Sequence, residues 1–121
     1  MTLFIPGLFK SSAGLMLNGK IDCDGLTDDD LDCCAEWIIR QHGSEWRWVE
    51  GVPRGGTRLA TALHKKFISD VKRPTLIIDD VMTTGASMER QRAGRNAVGV
   101  VIFQRGPSLN WVHPLFVAGI D

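Results

Sequence analysis

The residues best placed to do chemistry are two neighbouring carboxylates, Asp79 and Asp80, followed by Val81-Met82 and then Thr83-Thr84-Gly85-Ala86-Ser87. Carboxylates accept hydrogen bonds and repel phosphate, so an adjacent pair suits a ligand with vicinal hydroxyls, as a ribose has. The hydroxylated loop behind them has the opposite preference. Its glycine permits close backbone approach, its N–H groups can point outward, and a following helix N-terminus favours an anion. Together the two halves suit a phosphorylated ribose. An ordinary strand–turn–helix junction, with Thr83 or Thr84 as N-cap, is the plainer reading of the same residues.

A second loop of this kind lies upstream. Gly51-Val52-Pro53-Arg54-Gly55-Gly56 follows a short strand and opens a helix, and Arg54 brings a planar fork of donors suited to phosphate oxygens. A lone glycine turn before a helix is a weak signal. Placed one βα unit before the acidic stretch, it opens on the same C-terminal edge of a parallel sheet.

The elements that must hold these loops follow from periodicity. Thr75-Leu76-Ile77-Ile78 reads as a buried parallel strand, preceded by a proline that stops the helix before it. Trp46 to Gly51 reads as one strand, and Leu59, Ala60, Leu63, Phe67 and Ile68 mark a helix running to near Asp70. The helix after Ser87 is cut short by Gly94 and Asn96. Ala97 to Phe103 is a further buried strand ending in Gln104-Arg105-Gly106, and Val112 to Val117 is an edge strand marked by Pro114. At the other end, Gly14 to Cys23 reads as a hairpin turning at Asn18-Gly19. Thr27 caps a helix with Leu31, Cys34, Ala35, Ile38 and Ile39 on one face and Gly43 at its end. His42, His64 and His113 fall on separate elements without metal-ligand spacing and read as surface or C-cap residues. The tryptophans at 37, 46, 48 and 111 read as core or interface.

From Ile77 to Ser87 the chain resembles, residue for residue, the 5-phosphoribosyl 1-pyrophosphate (PRPP) motif of the type I phosphoribosyltransferases. The resemblance implies that Asp79 and Asp80 hold the ribose hydroxyls and serve the catalytic step. It places the 5′-phosphate on Val81, Met82, Thr83, Thr84, Gly85, Ala86 and Ser87, and pyrophosphate on Val52, Pro53, Arg54, Gly55 and Gly56. The N-terminal part is similar to the orotate phosphoribosyltransferases: Ser12-Ala13-Gly14, then Ile21-Asp22-Cys23 at the family's spacing, then the Thr27 helix. Gly19 and Lys20 stand where those enzymes carry an aromatic pair, and Lys10 is out of register with their substrate lysine. Arg105 matches their strand-end arginine, so Arg105 and Thr83 are the expected contacts to a pyrimidine base. Mg²⁺ is the implied cofactor, brought by PRPP, with Asp79 the candidate protein contact and no other direct ligand. The implied fold is a minimal α/β phosphoribosyltransferase-like domain over residues 1–121: a hairpin and helix over 1–43, then a parallel core sheet of about four strands flanked by helices over 44–121.

Val71-Lys72-Arg73-Pro74 leaves no space for the family's second core strand, nor for the mobile loop that closes over PRPP. An exposed Trp46 strand edge then favours a homodimer. Two functions therefore compete: transfer of a phosphoribosyl group to a pyrimidine base, and binding of PRPP or a nucleotide without turnover. A structural role without ligand is a third.

Composition sets the outer bounds. The 121 residues carry 14 basic and 14 acidic side chains, so no global field draws in nucleic acid or membrane. The three cysteines, Cys23, Cys33 and Cys34, have no metal spacing, and the opening Met1–Pro6 run has neither basic flank nor spanning length. A cytoplasmic protein acting on small molecules is expected.

Overall fold

Strand β6, Thr75–Met82, is the centre of the molecule, with Leu76, Ile77 and Ile78 fully buried. A computed structural model describes residues 4–10 and 16–118, with side chains from residue 22 onward. Around β6, strands β4 (Val49–Gly51), β7 (Ala97–Gln104) and β8 (Val112–Val117) form a four-stranded sheet ordered β4-β6-β7-β8, every pair parallel. Helix α2 (Gly55–His64) connects β4 towards β6, and α3 (Ala86–Arg92) connects β6 to β7.

Alternation along β6 sorts its side chains between two cores. Leu76 and Ile78 pack with Leu59 and Leu63 of α2 and with Leu31, Ala35 and Ile38 of α1 (Asp28–His42). Ile77 points the other way, against Met88 of α3, Val101 and Trp111. The two aspartates follow directly, at the C-terminal end of β6.

Helix α1 begins and ends where the sequence places it. Thr27 and Asp30 form a reciprocal capping box, and Gly43 takes φ 96°. Strand β8 ends the sheet as an edge, with Pro114 in it, and α3 stops at Ala93-Gly94.

Several expectations are corrected. The hairpin pairs β1 (Phe4–Lys10) with β2 (Met16–Ile21), so Asn18-Gly19 lies inside a strand. Cross-strand pairing with Phe4–Lys10 outweighs the local turn preference of that dipeptide. The Ser12-Ala13-Gly14 segment lies outside the described residues. The expected Trp46–Gly51 strand is two pieces, because the chain changes partner at Arg47-Trp48: β3 (Glu45–Trp46) pairs with β5 (Ile68–Ser69), and β4 pairs with β6. Helix α2 stops at His64, and Ile68 N–H donates to Ser44 O at 2.7 Å, drawing the chain into β5. Phe67 and Ile68 are consequently off the helix. A two-residue strand in a separate sheet thus stands where no strand was expected, although the four-stranded sheet does not include it. Residues 70–74 remain a direct link with no room for a long loop. Trp46 is buried rather than lining an exposed edge, while Trp48 is 49% exposed. Among the described residues, no helix is long and apolar enough to cross a membrane.

Candidate ligand site at the carboxyl edge of the sheet

Strand β4 ends at Gly51 opposite Ile78, so β6 runs on beyond it. Past that end, Asp80 N–H donates to Asp79 Oδ1 at 2.8 Å, and Val81 N–H donates to Asp80 Oδ1 at 2.7 Å. The carboxylates thus satisfy the backbone donors just after them and are held in place by doing so.

The upstream loop closes on this point through its glycines. A Cβ on Gly55 would lie 2.2 Å from Asp80 Oδ2, and one on Gly56 would lie 2.4 Å from Ile78 O. Gly51 is equally tight, 2.4 Å from Gly56 O. Only glycine lets the backbone of this loop touch the strand end that carries the acids. Thr57 Oγ1 donates to Arg54 O at 2.7 Å, fixing the loop's last turn, and the Pro53–Arg54 peptide is cis.

Arg54, Gly55 and Asp80 share the wall of a cleft with Arg58, Cys23 and Leu31. Its volume is about 80 Å³, well below the ~300 Å³ of an enclosing ligand cavity. A sugar phosphate would lie across its open rim. Neither Cys23 nor Arg58 is expected at the site from the sequence. Arg58 stands four residues after Arg54, the one spacing that could have shown both on one helix face.

Asp79 is buried, and this raises its pKa to about 8, with the Asp80 carboxyl adding to the rise and its backbone N–H opposing it. Asp79 therefore keeps its proton at neutral pH. Burial, reinforced by the charge of Asp80, also pushes the Cys23 thiol far up, so it is no thiolate nucleophile.

The downstream loop is built around Gly85, which caps α3 at φ 86°, with Thr84 Oγ1 accepting from Ala86 N–H at 3.3 Å. Thr83 and Arg105 are brought together where β6 and β7 end. Arg105 N–H donates to Met82 O at 2.8 Å, and a Cβ on Gly106 would fall 1.8 Å from Thr83 O. Arg105 is buried, not a solvated strand-end arginine. Gln104 Nε2 donates to Gly106 O and Ser108 Oγ, shaping the turn beyond it.

The histidines are not as scattered as their sequence positions suggest. His42 and His113 bring their rings to 5.2 Å, and His64 Nε2 lies 2.8 Å from Val49 O. Among the described residues, no group of three His, Cys, Asp or Glu side chains could hold a metal.

No protein-family model and no curated protein matches the chain by sequence. Its backbone does have counterparts. Orotate phosphoribosyltransferase from Aeropyrum pernix superposes at TM-score 0.71 and 16% identity, over 95% of this chain and 88% of that one. The fold is that of the type I phosphoribosyltransferases. A Bacillus anthracis hypoxanthine-guanine phosphoribosyltransferase shares it at TM-score 0.52 and 13% identity, over 76% of each chain. So does a Neisseria gonorrhoeae protein crystallised with bound ppGpp, at TM-score 0.56 and 12% identity, over 78% of this chain and 82% of that one. In this phosphoribosyltransferase fold, the described chain presents both glycine loops and the paired aspartates on one edge.

Proposed function

We propose that the chain binds PRPP across the carboxyl edge of the sheet and transfers its 5-phosphoribosyl group to a pyrimidine base, as orotate phosphoribosyltransferases do. The observation that carries this reading is the contact between Gly55 and the Asp80 carboxylate, which joins the two loops into one rim. Asp79 and Asp80 accept hydrogen bonds from the ribose hydroxyls. The Thr83–Ser87 loop holds the 5′-phosphate, and Val52 to Gly56, with the Arg54 guanidinium, holds pyrophosphate. Thr83 and Arg105 face the base.

In the reaction, a ring nitrogen bonds to ribose C1 as the C1–O bond to pyrophosphate breaks, and the electron pair of that bond and the proton of the ring N–H both end on pyrophosphate. Positive charge builds on the sugar next to the aspartates, and negative charge builds beside Arg54. Preorganised groups of each sign are therefore where they are needed. Hard carboxylate oxygens beside a phosphate loop fit Mg²⁺, which takes one or two carboxylates and otherwise substrate phosphates. When bound, Mg²⁺ neutralises charge on the phosphate oxygens. Asp79 is the residue that would reach it, giving up its proton as it did so.

A second reading, binding of PRPP or a nucleotide without turnover, draws support from the direct 70–74 link, too short to form a lid that excludes water. The ppGpp-bound neighbour shows the same fold holding a phosphorylated nucleotide. Calorimetric titration with PRPP and Mg²⁺, followed by a pyrophosphate-release assay with orotate and with purine bases, separates the two. Binding with release on orotate supports transfer, binding without release supports the second reading, and no binding refutes both.

A further inference from the structure

We infer that Arg58 is a second pyrophosphate-contacting cation, acting beside Arg54; this rests on the PRPP reading above. Among the described residues, the short 70–74 link supplies no segment over the cleft, and Arg54 and Arg58 are the basic side chains that line it. Arg58 is one helical turn beyond Arg54 on α2, on the same side of the helix, and lines the same cleft as Arg54, Gly55 and Asp80. Its side chain is 43% exposed, so it can reach a ligand lying on the open rim.

Two bonds now hold it. Arg58 Nη2 donates to Leu26 O at 3.0 Å and to Asp28 Oδ1 at 3.2 Å. The first ties the guanidinium to the backbone just ahead of α1. The second is an ion pair to a carboxylate that is 96% exposed, and an exposed pair of this kind is weak and screened by salt. A pyrophosphate carries more charge and can accept a bidentate fork, so it displaces Asp28 while the Leu26 tether remains. Asp28 then acts as the counterion that occupies Arg58 when no ligand is bound.

The test is calorimetric titration of the full chain with inorganic pyrophosphate and, separately, ribose 5-phosphate, each at low salt with Mg²⁺. In the Arg58→Gln variant, pyrophosphate affinity falls about tenfold, the loss expected for one charge-assisted contact, while ribose 5-phosphate affinity is unchanged. In Asp28→Asn, which frees the guanidinium, pyrophosphate binds about threefold more tightly. Equal pyrophosphate affinity in parent and Arg58→Gln, an equal loss for both ligands, or an Asp28→Asn affinity at or below the parent's overturns the inference and leaves the PRPP reading standing if the parent binds both ligands. A parent that binds neither ligand overturns both.

Discussion

The Asp80 carboxylate rests directly on the backbone of Gly55, with Oδ2 only 2.2 Å from the place a Cβ would take. Two loops distant in sequence are thereby locked to one strand end, and the lock tolerates no side chain at position 55. Replacing Gly55 with Ala forces the Asp80 carboxyl to turn away. The expected result is a loss of PRPP affinity of about tenfold, roughly one charge-assisted hydrogen bond, with the far-UV circular dichroism unchanged. Calorimetry on Gly55→Ala checks it, and parental affinity would show that the contact has no part in binding.

Gly106 makes the same argument against backbone, which cannot swing aside. Its missing Cβ leaves 1.8 Å to Thr83 O. Gly106→Ala must push the β7–β8 turn off the Thr83–Ser87 loop, at a cost of about 1–3 kcal/mol, the usual range for overpacking. Denaturant unfolding measures this, and a midpoint within error of the parent would contradict the packing.

The proton held by Asp79 makes stability depend on pH, with a definite sign. Asp79 titrates at about 8 in the folded chain against an ordinary 3.8. The folded state therefore keeps a proton that the unfolded chain sheds above its ordinary value. That stabilisation is complete below the ordinary value and is lost as pH rises towards 8, with a limiting slope of ~1.4 kcal/mol per pH unit for one proton. Melting temperature should fall between about pH 5 and pH 8, and Asp79→Asn should flatten that fall. A parent whose melting temperature rises over the same interval would show that Asp79 is ionised throughout.

Glu50 ties the end of α3 to β4. Arg95 grips both its oxygens, at 2.7 and 2.8 Å, and also donates to the helix-end carbonyls of Gln91 and Arg92. The Arg95 guanidinium lowers the Glu50 pKa through these bonds. Because Arg95 is substantially exposed, Glu50→Gln should destabilise by only about 1 kcal/mol, within the range for screened pairs, and the loss should shrink in high salt. A salt-independent loss would point to packing instead.

The acidic strand and the strand after it were legible because Ile77-Ile78 and Val100-Val101 are continuous apolar runs that only a doubly covered sheet explains. Both glycine loops were legible for a similar reason, since their composition is set by close backbone approach. What escaped depended on partners far away in sequence. Asn18-Gly19 carries a turn preference worth less than a strand partner at Phe4–Lys10. Strands β3 and β5 contribute two residues each, too few for any periodicity, and exist only because Ser44 and Trp46 meet Ile68 and Asp70. The role of Arg58 depends on where α1 begins, which no residue near position 58 encodes.

The most direct measurement is a PRPP titration of the Asp79→Asn, Asp80→Asn double variant in the presence of Mg²⁺. If the paired aspartates hold the ribose, PRPP affinity should fall by about tenfold or more, at least one charge-assisted contact, while the fold survives. A double variant that binds PRPP as tightly as the parent would contradict that assignment.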